Sequence, residues 1–135
     1  MTTQTAVRIP ERGRQILKQR SFGQLATLMP DGAPQVTPVW VDVDGDEILV
    51  NTAEGRLKPR NIRTDDRVAI SIQDPDDPQV ALIVRGQATL TSENAKEHAD
   101  SLARRYTGAD EFETEPGEER VVIRIVPERV LMYGA

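Results

Sequence analysis

Ile48-Leu49-Val50-Asn51-Thr52-Ala53-Glu54-Gly55-Arg56-Leu57-Lys58-Pro59-Arg60-Asn61-Ile62-Arg63 is the stretch around which the rest of the chain is organised. Residues 48–52 read as a buried strand, Gly55 supplies a turn, and the remainder reads as a short helix whose start is crowded with cations. A helix N-terminus leaves backbone N–H groups unpaired and carries partial positive charge, so a phosphate docked there meets both the dipole and the side chains. From Thr52 to Thr64, Arg56, Lys58, Arg60 and Arg63 stand against Glu54 alone, a local charge of +3 in a chain of net charge −5. Two readings stay open from the residues: an anion site, or a solvated helix face whose arginines offset nearby carboxylates.

A chain of 135 residues is long enough to bury one useful core, so a single domain over 1–135 is expected, with 1–8 as a flexible N-terminus. An acidic balance, with an isoelectric point near 4.9, argues against nucleic acid as the main partner, because a phosphate backbone needs a basic footprint. No apolar run approaches a membrane span and Met1 to Val7 is polar, so no membrane partner is expected. With no cysteine, disulfides, thiolate nucleophiles and cysteine-held metals are excluded, and a cytoplasmic setting is the natural one. His98, the single histidine, lies in a polar helical segment with no partner at metal-ligand spacing and is expected to be solvated. No metal is assigned anywhere. No nucleophile elbow, Walker loop or dinucleotide glycine fingerprint occurs, which leaves chemistry to a bound organic cofactor.

Around the central stretch the pattern is one of short strands. Pro10 to Gln19 predicts a short surface helix, and Phe22 to Met29 predicts a strand running into the hairpin signal Pro30-Asp31-Gly32. Gln35 to Asp44 predicts one answering strand, with Thr37, Val39, Val41 and Val43 on one face and Val36, Pro38, Trp40 and Asp42 on the other. Strands also follow at Arg67 to Gln73 and at Gln79 to Leu90, the second interrupted by Gly86 in the manner of a bulge or bend. Asp74-Pro75-Asp76-Asp77-Pro78 between them reads as a hairpin loop. Ser92 predicts a capped helix to about Tyr106 with Ala95, Ala99, Leu102 and Ala103 inward, followed by an acidic loop around Phe112. Arg120 to Val126 and Arg129 to Tyr133 complete the strands. The fold class expected is mainly β with peripheral helices, an antiparallel barrel whose core is lean in aromatics and gains from a dimer contact.

The order of Phe22-Gly23-Gln24-Leu25-Ala26-Thr27, Asp31 to Trp40, Asn51-Thr52 and Gly55 to Ile62 resembles the split β-barrel flavin-binding superfamily typified by pyridoxamine 5′-phosphate oxidase. Asp66-Arg67-Val68-Ala69, Arg85-Gly86, Ala103 to Tyr106 and Pro127-Glu128-Arg129-Val130 extend the likeness over nearly the whole chain, and it is nearest to the branch that uses the deazaflavin coenzyme F420. The resemblance implies a split antiparallel β-barrel and a homodimer with the cofactor at the subunit interface. It also implies that Arg56, Leu57 and Lys58 hold the cofactor phosphate and the edge of its ring, with Arg60 and Asn61 of the same motif also at the cofactor; Arg60 and Arg63, three apart on one helix face, are expected to meet the acidic tail that deazaflavin carries beyond its phosphate. Val50, Asn51 and Thr52 match the strand beside the ring, and Gln35, Thr37 and Pro38 match its neighbour.

The function expected is hydride transfer from reduced deazaflavin to an electron-poor acceptor such as an enone, quinone or tetrapyrrole. An FMN-dependent oxidoreductase of the same fold is the alternative, and a non-catalytic carrier of flavin, deazaflavin or haem is a third. The chain's last residues, Val130 to Ala135, lack the arginine-and-histidine substrate segment of a working pyridoxamine phosphate oxidase, so vitamin oxidation is not expected. Solvent, Tyr133 or Lys58 is open as the proton donor, and Trp40 is open between core packing and ligand contact. Scarce aromatics at the site weigh for deazaflavin over haem.

Overall fold

In a computed structural model, residues 7–134 are described, and the flexible terminus expected over 1–8 lies mostly outside them. Among the described residues the order is α1 (Glu11–Leu17), β1 (Phe22–Leu28), β2 (Pro34–Trp40), β3 (Asp42–Asp44), β4 (Glu47–Ala53), α2 (Leu57–Thr64), β5 (Arg67–Gln73), β6 (Ala81–Thr91), α3 (Ala95–Thr107) and β7 (Arg120–Tyr133). The strands form one antiparallel sheet in the order β2-β1-β5-β6-β7-β4-β3. Its two edges, β2 and β3, are separated in the chain by Val41 alone, so the sheet curls back on itself and the chain steps across the opening at that residue. This is the split antiparallel barrel.

Val41 explains why one expected strand became two. The inward alternation holds, with Val39 and Val41 buried and Val43 packed against the core, but the ladder partner changes at the corner. Side chains of α3 replace the lost ladder: Val41 N donates to Tyr106 Oη at 3.1 Å, and Val41 O accepts from Arg105 Nη1 at 2.9 Å. Tyr106 Oη in turn donates to Ser21 O at 2.6 Å, so one phenol ties the corner to the start of β1.

The interior is aliphatic, built from the alternate residues of each strand, among them Leu25, Ile70, Ile72, Leu82, Ile123 and Ile125. Gly86 is the bend its position predicted. The β6–β7 register shifts between Arg85 and Gly86, and a Cβ at Gly86 would lie 2.1 Å from Val126 O, closer than any side chain tolerates. The two final strands expected are therefore one 14-residue strand that bends with β6.

Two helices depart from expectation. α1 is no mere surface helix: Ile16 and Leu17 are fully buried with Ile9, and Gly13 lets the helix close on Leu82. α3 begins at Ala95 rather than Ser92, with Asn94 in the left-handed region (φ 54°) and no side-chain cap. Its inward residues are the four expected, and Ala95 joins Leu49 and Val122 in a small second core outside the barrel. No helix among the described residues is long and apolar enough to cross a membrane.

Candidate functional site

β4 and β7 run side by side from Ile48–Ile125 to Ala53–Arg120, and β4 then turns at Gly55 (φ 85°) into α2. Beyond these strand ends lies a cleft of about 300 Å³. Asn51 and Thr52 of β4, Arg56 and Lys58 at the start of α2, and Arg120 of β7 supply its polar lining. Phe22, Pro38 and Trp40 of the β1–β2 hairpin, Leu102 of α3 and Phe112 of the following loop supply its apolar walls.

The chain has five aromatic residues, and four of them meet here. Trp40 stacks on Tyr106 with centroids 5.0 Å apart and planes 7° apart, Phe112 meets Trp40 edge-on at 6.3 Å, and Phe22 packs on Tyr106 at 5.9 Å. The expectation of a site poor in aromatics is thus overturned, because residues distant in sequence converge on it. Trp40 lines the cleft rather than the barrel core.

α2 brings the cations. Pro59 at its third position has no N–H, leaving Leu57 and Lys58 N–H as free first-turn donors, and Arg60 N reaches back to Arg56 O at 3.4 Å. Arg63, expected beside Arg60 for the acidic tail, is instead committed to Glu54 through two hydrogen bonds of 2.8 and 2.6 Å, and Arg56 reaches Glu118 at 3.3 Å. Among the described residues Lys58 and Arg60 have no carboxylate partner. Lys58 Nζ donates to Thr37 Oγ1 at 3.3 Å, and burial, reinforced by Arg56, lowers its pKa from the ordinary lysine value.

A chain of hydrogen bonds reaches the cleft from behind α3. Arg105 Nη2 donates to Asp42 Oδ1 at 2.7 Å, Asp42 Oδ2 lies 3.2 Å from His98 Nε2, and His98 Nδ1 lies 3.0 Å from Asn51 Nδ2. Asn51 Oδ1 accepts from Arg120 Nε at 2.9 Å, and the Arg120 guanidinium lies over the Phe112 ring, 4.3 Å from its centroid. Burial pushes the Asp42 pKa up, but hydrogen bonds from His98 and Arg105 outweigh it and hold the carboxyl at about 2. His98 is therefore not the solvated residue expected. Its side chain is 11% exposed and both ring nitrogens are partnered.

Three buried side-chain atoms among the described residues have no hydrogen-bond partner: Thr52 Oγ1, Glu118 Oε2 and Arg120 Nη1. All three lie in or beside the cleft. Arg120 Nη1 and Glu118 Oε2 are 3.4 Å apart, near enough for charge attraction but not aligned for a hydrogen bond.

Of the site residues predicted, Pro38, Asn51, Thr52, Arg56 and Lys58 line the cleft, and Thr37 touches Lys58. Gln35 sits further along β2 opposite Thr27, Leu57 is half-buried, and Arg60 is exposed. Val50 is packed in the core, and Asn61 is buried, donating to Thr27 Oγ1 at 3.0 Å and so fastening α2 to β1. Tyr133 lines a separate groove with Gln24, Ser71 and Gln79, away from Lys58. Sequence reasoning missed Phe22, Arg120 and Glu118, which only pairing between β4 and β7 and the return of the acidic loop bring to the site.

An F420 reductase of known structure superposes with a TM-score of 0.77 at 34% identity, covering 91% of this chain and 98% of that one. A conserved hypothetical protein from Mycobacterium tuberculosis is similar at 27% identity and TM-score 0.72, covering 98% and 89%. A putative pyridoxamine 5′-phosphate oxidase from Listeria innocua is similar at 25% and 0.70, covering 90% and 94%. Residues 9–134 match the pyridoxamine 5′-phosphate oxidase family along almost their full length, and the chain belongs to that family.

Proposed function

We propose that this protein is a coenzyme F420-dependent oxidoreductase that reduces an electron-poor small molecule such as an enone, a quinone or a tetrapyrrole. The observation that carries the reading is the cleft's unspent polarity: Thr52 Oγ1 buried without a partner, and Lys58 half-buried without a carboxylate, beside a helix start with free N–H groups. An unpartnered buried donor or acceptor costs about 1–3 kcal/mol, so these groups fit a polar, anionic ligand that completes them. Lys58, Arg56 and the first turn of α2 would hold the phosphate, while Asn51, Thr52 and Pro38 would lie along the ring. Arg60, exposed and without a carboxylate partner, is placed for the acidic tail that deazaflavin carries beyond its phosphate.

When bound, deazaflavin supplies a hydride donor, and the protein's own part is to bind, orient and keep water away. Trp40, Phe112 and Leu102 give the cleft apolar walls that do the last of these. The likeness to an F420 reductase at 34% identity favours deazaflavin, and membership of the pyridoxamine 5′-phosphate oxidase family, which binds flavins or related cofactors, makes FMN on the same fold the second reading. Haem is disfavoured, since both nitrogens of the single histidine are already engaged. The cofactor would sit at a homodimer interface in the cytoplasm.

Purification from a host that makes deazaflavin tests the reading. A protein that carries the deazaflavin absorbance through gel filtration is expected; one that carries flavin or haem bands instead would refute it.

A further inference from the structure

We propose that Glu118 is an internal competitor for the cleft's anion site: its carboxylate holds Arg56, and a phosphate-bearing ligand must displace it to bind. The inference rests on reading the cleft as a phosphate site and adds to that reading an autoinhibitory contact from the loop that follows α3.

Residues 108–119 return from α3 to β7 as an acidic strap, with six carboxylates between Asp110 and Glu119 and no cation among them. The first half of the strap is fastened to α3. Arg104 Nη1 donates to Asp110 O at 2.9 Å, Asp100 Oδ1 accepts from Phe112 N at 2.9 Å, and Lys96 Nζ donates to Phe112 O at 3.0 Å. The second half is loose. Residues 113–117 are exposed, and among the described residues their hydrogen bonding amounts to one turn within the strap, Glu118 N donating to Glu115 O at 3.0 Å. Gly117, at φ 79°, gives this half a pivot that other residues rarely allow.

Beyond the pivot Glu118 turns inward. Its side chain is 11% exposed, Oε1 accepts from Arg56 Nη2 at 3.3 Å, and Oε2 lies 3.4 Å from Arg120 Nη1 with no hydrogen bond. Two arginines thus enclose one carboxylate and neither grips it well, whereas Glu54 takes Arg63 through bonds of 2.8 and 2.6 Å. Burying a carboxylate with an idle oxygen is costly, and a long ion pair to a mostly exposed arginine returns little. Such a contact yields readily. A phosphate offers Arg56 more charge and also engages Lys58 and the first-turn N–H groups of α2, with which Glu118 makes no hydrogen bond. Sharing Arg56 would set phosphate and carboxylate side by side as like charges, so the ligand displaces Glu118. Wild-type affinity is then scaled down to the fraction of molecules in which Arg56 is released.

FMN and the deazaflavin are titrated separately, each by its own fluorescence, into wild type, Glu118→Gln and Glu113→Gln, with folding checked by circular dichroism. Glu113 is the control, an exposed carboxylate of the same strap with no ion pair among the described residues. Glu118→Gln should bind whichever ligand the cleft accepts about threefold more tightly or better, and Glu113→Gln should match wild type. Binding that appears only in Glu118→Gln is the extreme form of the same result. Glu118→Asp, whose shorter side chain withdraws from Arg56, should also tighten binding and replaces Glu118→Gln if that variant does not fold. Weaker or unchanged binding in the Glu118 variants, an equal gain in Glu113→Gln, or no binding by any of them would overturn the proposal. FMN bound and deazaflavin ignored would refute the cofactor reading alone, because the same comparison of variants is then read with FMN.

Discussion

Lys58 and Arg63 lie five positions apart on one basic segment, yet their surroundings give them different tasks. Arg63 is exposed and spent on Glu54, while Lys58 is half-buried at the cleft with only Thr37 as partner. Lys58→Ala should therefore weaken deazaflavin binding by about tenfold or more, the worth of a charge-assisted phosphate contact, whereas Arg63→Ala should change it little. Fluorescence titration of the two variants checks this, and equal losses would move the anion site elsewhere. Asp42 makes a pH-dependent contribution of known sign. Its folded pKa of about 2 lies below the ordinary carboxylate value, so the stability it adds is present above about pH 4 and fades as pH falls toward 2. The gap in melting temperature between wild type and Asp42→Asn should narrow over that range, and a constant gap would show that the stability does not come from the ionised carboxylate.

The bend in β6 and β7 is where a single methyl would do most damage to the fold. Gly86→Ala sets a Cβ against Val126 O, part of a backbone that cannot turn away, and should cost about 3 kcal/mol or more. Chemical denaturation reads this directly, and a near-normal midpoint would contradict the close approach. This bend was legible in the sequence because glycine inside an alternating strand has few other uses. The corner at Val41 was not, since Gln35 to Asp44 alternates without interruption and nothing local marks the change of partner strand. Its stability comes from Tyr106 and Arg105, more than sixty residues away in the chain. Likewise the basic start of α2 was visible as a local cluster of charge, while Arg120 and Phe112 became part of the same site only through β4–β7 pairing and the loop that precedes it. Features set by local pattern, the bend at Gly86 and the basic start of α2, were legible, and those set by tertiary convergence, the partners of His98 among them, were misread or missed.

The barrel's outer face leaves apolar side chains uncovered. Leu131 and Tyr133 are 56% and 62% exposed, and their register partners Ile83 and Ala81 place all four on one side of β6 and β7. A homodimer that covers this face, beside the strand expected over Gln79 to Leu90, should sediment as a dimer at micromolar concentration, and Leu131→Glu should shift it toward monomer. A wild-type monomer at that concentration would refute the assembly. The protein's charge distribution also bears on its cofactor, for an acidic body with cations gathered at one cleft favours an anionic ligand there and repels it elsewhere. Deazaflavin and FMN share a phosphate but differ beyond it, so their relative affinity is the most direct measurement of what the cleft is for. Dissociation constants for both, taken on the same wild-type preparation, should show deazaflavin bound more tightly, by a margin that shrinks with added salt as the contacts of its tail with Arg60 are screened; tighter binding of FMN would contradict the assignment.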